Sequence, residues 1–140
     1  MRSTGLISIT GVALMLAAGA QAEAQVSLRP GLYERTLETE ADGATGKSKD
    51  TLCISPEDAK DMVKTIAAAG AETSCKVSDV KTAAGGKLTF KMTCKDDDGT
   101  SSYSNDVTYG PDWYTNVSKG KTSHGDVTSR VNAKRIGECK

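Results

Sequence analysis

The chain has 140 residues, 37% of them hydrophobic, with a single Phe, a single Trp and four Tyr, so the expectation is one small domain with a thin core. Lys plus Arg number 18 and Asp plus Glu number 18, a balance that supplies no global field to gather nucleic acid, an anionic membrane or acidic substrates. Nucleic acid is therefore not an expected partner.

The N-terminus carries an export signal. Arg2 is a minimal basic region, residues 5–20 form an apolar run, and Ala20-Gln21-Ala22 supplies the small-x-small pattern that signal peptidase cuts. The reading is a signal peptide over 1–22 and a single α+β domain over 23–140, with Ala22-Glu23-Ala24 permitting a cut two residues later. The apolar run is shorter than the roughly 20 residues of a membrane span, so no span is expected after cleavage. The mature chain is expected to be periplasmic or secreted.

Four cysteines in an exported chain imply disulfides rather than metal ligation. Cys53, Cys75, Cys94 and Cys139 are separated by long gaps, and His124 is the lone histidine, which is unlike a zinc pattern. Two bridges would supplement a lean core.

Taken in order, 31–41 reads as a strand with Tyr33 and Leu37 on one face, 42–46 as a Gly-containing turn and 48–54 as the returning strand. The period then changes. Ser55-Pro56-Glu57-Asp58 has the hydroxyl, proline and acids of a helix start, and Ala59, Met62, Val63, Ile66 and Ala67 recur as one apolar stripe ending near Gly70. A hairpin follows, 75–82 and 87–94 about the turn 83–86, with Cys75, Val77, Leu88, Phe90, Met92 and Cys94 on one face. A second hairpin joins 100–109 to 113–119 through a three-residue turn, aligning Tyr103, Val107, Tyr109, Trp113 and Val117. A last strand over 126–134 directs Val127 and Val131 inward. The class is α+β: a meander of about six or seven antiparallel strands, wet on one face, with one helix on the other.

Two disulfide pairings compete. Bridging Cys53 to Cys75 and Cys94 to Cys139 is preferred because the first pair brackets the helical excursion. A four-residue hairpin loop instead sets Cys75 directly opposite Cys94 and leaves Cys53 for Cys139.

Several ordered segments now match a known pattern: Pro30-Gly31-Leu32-Tyr33-Glu34, Cys53-Ile54-Ser55-Pro56-Glu57-Asp58-Ala59, Cys75-Lys76-Val77-Ser78-Asp79-Val80, Met92-Thr93-Cys94 and Arg135-Ile136-Gly137-Glu138-Cys139. Together they resemble the bacterial exported family catalogued as domain of unknown function 3617, across nearly all of the mature chain. The chain departs from that pattern at Tyr33, where the family usually has tryptophan, and in its Met-poor middle. The resemblance implies an exported small domain with four cysteines and brings no reaction, ligand or catalytic residue.

Other motifs read most simply as structure. Asp96-Asp97-Asp98-Gly99 fails the calcium-loop register and has strand flanks, leaving a solvated turn. The stretch 43–48, GATGKS, lacks the first glycine of a phosphate loop and lies between strands. Ser123, His124 and Asp126 have the residue types of a hydrolytic triad, but neighbours in one turn align poorly for it. Asn116-Val117-Ser118 fits a glycosylation sequon that the bacterial resemblance makes irrelevant. The aromatic stripe of Tyr103, Tyr109 and Trp113 is expected to be core, and its alternative is a ligand or partner face. The functional expectation is a non-enzymatic binding or envelope-support domain, without cofactor, whose partner is an envelope protein or a small apolar ligand. The alternative is a hydrolase with a site scattered along the chain.

Overall fold

The computed structural model describes residues 27–68 and 74–140. The expected export signal over 1–22 and the expected helix stop near Gly70 lie outside them. The described chain forms one seven-stranded antiparallel sheet and one short α-helix: β1 (Gly31–Ala41), β2 (Ala44–Ile54), a 3-10 turn (Asp58–Lys60), α1 (Met62–Ala68), β3 (Ser74–Ala83), β4 (Lys87–Asp96), β5 (Gly99–Gly110), β6 (Trp113–Thr122) and β7 (Gly125–Gly137). The spatial order is β2-β1-β7-β6-β5-β4-β3, so the first and last strands pair and only β2 and β3 are edges.

Turn chemistry sets these pairings. Asp42 and Gly43 both take positive φ, which makes a two-residue hairpin and starts β2 at Ala44, four residues before the expected Ser48. The helical excursion is divided where one continuous helix is expected. Ser55 Oγ accepts from the Asp58 amide at 3.1 Å and opens the 3-10 turn, but Asp61 then leaves helical geometry and its carboxylate accepts from the Lys64 amide at 3.0 Å. An aspartate that bonds the backbone in this way starts a new helix instead of continuing the old one.

Residues that oppose one another across antiparallel strands share a face, and those rows locate the core. Arg35, Ala133, Tyr114 and Tyr109 form one row, and Leu37, Val131, Asn116, Val107 and Leu88 the next. Tyr33, Phe90, Ile54 and Val107 are the largest fully buried side chains, and Ala59 and Met62 pack onto them from the 3-10 turn and α1. The opposite face is mostly Lys, Thr and Ser with acids such as Glu34, Glu38 and Asp106.

Trp113 corrects the expected aromatic stripe. Gly110 belongs to β5 and pairs with Trp113, so the turn is the two residues Pro111-Asp112 and Tyr109 opposes Tyr114. One residue of slip exchanges the faces of a strand. Trp113 consequently sits on the outer face at 42% exposure with its indole over Gly110, and Val117 goes with it; Tyr114 is the buried aromatic.

The preferred disulfide pairing is likewise overturned. Cys75 is bridged to Cys94 and Cys53 to Cys139. A bulge between Ser78 and Lys81 sets two β3 residues against Phe90, and this restores the register that a three-residue turn at Ala84-Gly86 would otherwise shift, leaving Cys75 opposite Cys94. Leu32 pairs with both Cys53 and Gly137, so the chain end crosses the start of β1 to reach β2.

Two measurements check this architecture. In the chain-entropy account, a bridge spanning 86 residues stabilises by about 4.5 kcal/mol and one spanning 19 by about 3 kcal/mol. Cys53→Ala/Cys139→Ala should therefore lose more stability in urea than Cys75→Ala/Cys94→Ala. Separately, Tyr114→Ala should cost about 3 to 5 kcal/mol and Trp113→Ala less than about 1 kcal/mol. Equal losses would contradict the two-residue turn.

Candidate functional site

A half-open cleft of about 1160 Å³ lies where three parts of the chain meet: the lead before β1, the helical excursion, and the β3–β4 hairpin. Leu28, Met62, Val63, Val80, Leu88 and Tyr109 give it an apolar lining, with Lys60, Asp61 and Thr82 also bordering it.

The lead has no secondary structure, so other contacts hold it. The Arg29 amide donates to the Pro111 carbonyl at 2.7 Å, and the Arg29 guanidinium pairs with Asp112. Tyr33 Oη donates to the Arg29 carbonyl at 2.6 Å, and Arg135 Nε donates to the Pro30 carbonyl at 2.9 Å. Gly31 makes this last contact possible, because a Cβ there would collide with the Arg135 side chain. Leu28 is thereby fixed in the core beside Ala59 and Met62. The Arg29 hydrogen bond also holds the Asp112 carboxyl below the ordinary carboxylate range.

The hairpin wall depends on the bulge. Asp79 adopts positive φ and its carboxylate pairs with Lys91 at 3.1 Å, while Val80 joins the cleft lining at 50% exposure. Gly85 and Gly86, both at positive φ, close the hairpin, and the Tyr109 amide donates to the Gly86 carbonyl at 2.8 Å. Tyr109 is half-buried and lines the cleft together with Leu88.

The structure divides the aromatic stripe between two faces. Tyr109 lines the cleft; Tyr103 lies on the same sheet face six residues away, packed against Gly120; Trp113 is on the other face. Cys75 and Cys94 lie on the core face and Cys53 on the outer face. Ser123 and His124 are adjacent in the β6–β7 turn, 3.1 Å apart and exposed, and Asp126 opposes Lys121 on β7. Asp96 caps its own turn by accepting from the Asp98 amide at 3.0 Å. Among the described residues, no group of three His, Cys, Asp or Glu side chains is placed to hold a metal ion. Leu28 and Val80 are the lining residues that sequence reasoning missed. Leu28 precedes the first periodic segment, and nothing in the alternation around Val80 marks a bulge.

Fold and site define a disulfide-stapled antiparallel sheet domain with a cleft of mixed polar and apolar lining at its helical end, and no helix among the described residues is long and apolar enough to cross a membrane. Residues 28–139 match the family described as protein of unknown function (DUF3617), and the chain belongs to that family. No curated protein and no solved structure matches it.

Burial raises the phenols of Tyr33 and Tyr114 above the usual tyrosine value, with Asp112 adding to the effect at Tyr33. A raised folded pKa contributes stability that is full below the unfolded value near about 10 and is lost as pH rises through the folded value. The melting temperature should accordingly fall above pH about 10, and Tyr114→Phe, compared at equal neutral-pH stability, should soften that fall. An unchanged alkaline profile in the variant would remove Tyr114 from the account.

Proposed function

We propose that this chain is an exported, non-enzymatic binding protein that takes a small apolar ligand in the cleft between the helical excursion and the β3–β4 hairpin. The observation that carries the reading is Val80, half-exposed in an apolar wall shared with Val63 and Leu88, in a domain with few apolar residues to spare. Export is supported by the basic, apolar and small-x-small segments of residues 1–22 and by two disulfides. A binding role fits a cleft whose described lining residues include no nucleophile paired with a base.

The test is a titration of residues 23–140 with the apolar dye N-phenyl-1-naphthylamine. Dye fluorescence should rise saturably, and Val80→Asp should weaken binding by about tenfold or more while leaving the melting temperature close to native, since Val80 is half in solvent. No saturable rise, or a rise that Val80→Asp leaves intact, would refute the cleft as the site.

A further inference from the structure

The balanced charge of the whole chain conceals an uneven one on the outer face of the sheet. Alternation along β4 puts Lys87, Lys91 and Lys95 on that face, opposite Thr108, Ser104 and Thr100 of β5. On β6 the same face takes Lys119 and Lys121, opposite Ser104 and Ser102. Lys76 and Lys81 of β3, opposite Thr93 and Thr89, extend it on one side, and Arg130 and Lys134 of β7, opposite Val117 and Trp113, on the other. All nine bases are exposed. Against them this part of the face sets Asp106, Asp126 and, from the bulge, Asp79; Asp96, Asp97 and Asp98 lie at its far end past Lys95. On the β1 side Glu34 and Glu38 oppose Lys134 and Arg130, and both are already paired with Lys49 and Lys47 of β2.

Strand geometry turns these bases into a grid. Lys91 and Lys119 stand two strands apart, about 10 Å, with Ser104 between them. Among the described residues only Lys91 of the nine is in an ion pair, with Asp79 at 3.1 Å. Like charges so gathered repel one another, and an opposing negative surface relieves that repulsion. The same face also exposes apolar groups. Trp113 on β6 is 42% exposed and Ile136 on β7 is 53% exposed, and Lys134 lies opposite the first and two residues before the second.

We propose that the outer face over β3–β7 docks on an anionic lipid bilayer, with its lysines at the headgroup phosphates and Trp113 and Ile136 entering the interface. The bases span five strands, about 19 Å across, which is too wide for one small anion and suits an extended negative surface. Each adds attraction to anionic lipid within a Debye length of the headgroups. A tryptophan and an aliphatic beside a lysine are the groups that settle at a membrane interface. Single-stranded nucleic acid would instead need aromatic platforms among the bases. Trp113 is the one aromatic side chain on this face, and it sits at the margin of the grid beside Ile136. The cleft is lined by Leu88 and Tyr109 of the core face, so docking leaves it clear, and the inference does not rest on its ligand.

The experiment titrates residues 23–140, which hold every described strand and lack the apolar run 5–20, with vesicles of phosphatidylglycerol and phosphatidylethanolamine or of phosphatidylcholine alone. Trp113 is the single tryptophan and reports directly. Its emission should shift to the blue with the anionic vesicles only, and co-sedimentation should fall by about tenfold or more between about 50 and 500 mM salt. Lys87→Gln/Lys119→Gln/Lys121→Gln, at three exposed positions and so expected to fold, should weaken partitioning by about tenfold or more. Should that variant not fold, Ile136→Asp at its exposed position should give a comparable loss. Val80→Asp should leave partitioning within about twofold of native, since one charge on the other face adds little, and this separates the docking face from the cleft. The proposal is overturned if anionic vesicles change neither emission nor sedimentation, if phosphatidylcholine vesicles bind equally, or if the folded triple variant partitions as the native protein does. It is equally overturned if a DNA oligonucleotide at equal phosphate concentration displaces the vesicles, which would assign the face to a soluble polyanion.

Discussion

The pairing of β1 with β7 is the constraint on which the rest of the structure depends. It joins the two ends of the described chain across ten rungs, from Leu32 opposite Gly137 to Ala41 opposite Val127. Through it Tyr33 and Ala133 enter one core with Tyr114, and the Arg135 side chain comes within reach of the Pro30 carbonyl. The same pairing carries the chain end past Leu32 to Cys53. Closing a contact between segments about a hundred residues apart has a large entropic cost in the unfolded chain. The Cys53–Cys139 bridge offsets that cost where it is greatest, and the lead is then ordered by contacts to the Pro111-Asp112 turn. One wall of the cleft is thus a consequence of how the ends meet.

Strand alternation alone was enough to read the sheet, its single wet face and the face assignments of β3 and β4, because a two-residue period is unambiguous when Leu88, Phe90, Met92 and Cys94 all fall on one side. Pairing between distant strands left no such local mark, and neither did turn length. Gly110-Pro111-Asp112 is compatible with a three-residue turn or with a two-residue one, and that single residue decides whether Trp113 or Tyr114 is core. The larger aromatic is the natural choice on burial statistics, yet the turn overrides it. The disulfides show the same dependence: hairpin geometry gave one pairing and the bracketing of the helical excursion gave the other, and the bulge at Asp79-Val80 settled the matter in favour of the hairpin.

The cleft was less legible than the fold. Its lining comes from residues that break a local rule: Leu28 before any periodic segment, Val80 in a bulge, and Met62 and Val63 after a helix break at Asp61. The break and the bulge act together. A helix running uninterrupted from Ser55 would carry its apolar stripe on one straight axis. Splitting it at Asp61 separates Ala59, on the 3-10 turn, from Val63, on α1, and both border the cleft.

A domain with so few large apolar residues has to use them economically, and their distribution along the strands shows the result. Leu28, Tyr33, Ile54, Ala59, Met62, Leu88, Phe90, Val107, Tyr114 and Ala133 form one buried cluster. On β1, β5, β6 and β7 the core-face positions one row further on are hydroxyls and amides, and beyond them small or half-buried residues such as Ala41, Val127 and Gly120. Were the cluster sufficient for stability by itself, the second half of the core face could simply be solvent-exposed and polar. Instead Asn105 and Asn116 are buried there, although a leucine pair at those positions would remove the unpaired donor and acceptor without creating a charge. Burial without full hydrogen bonding works against stability in a domain already lean in core. The two bridges, one at each edge strand, offset that loss.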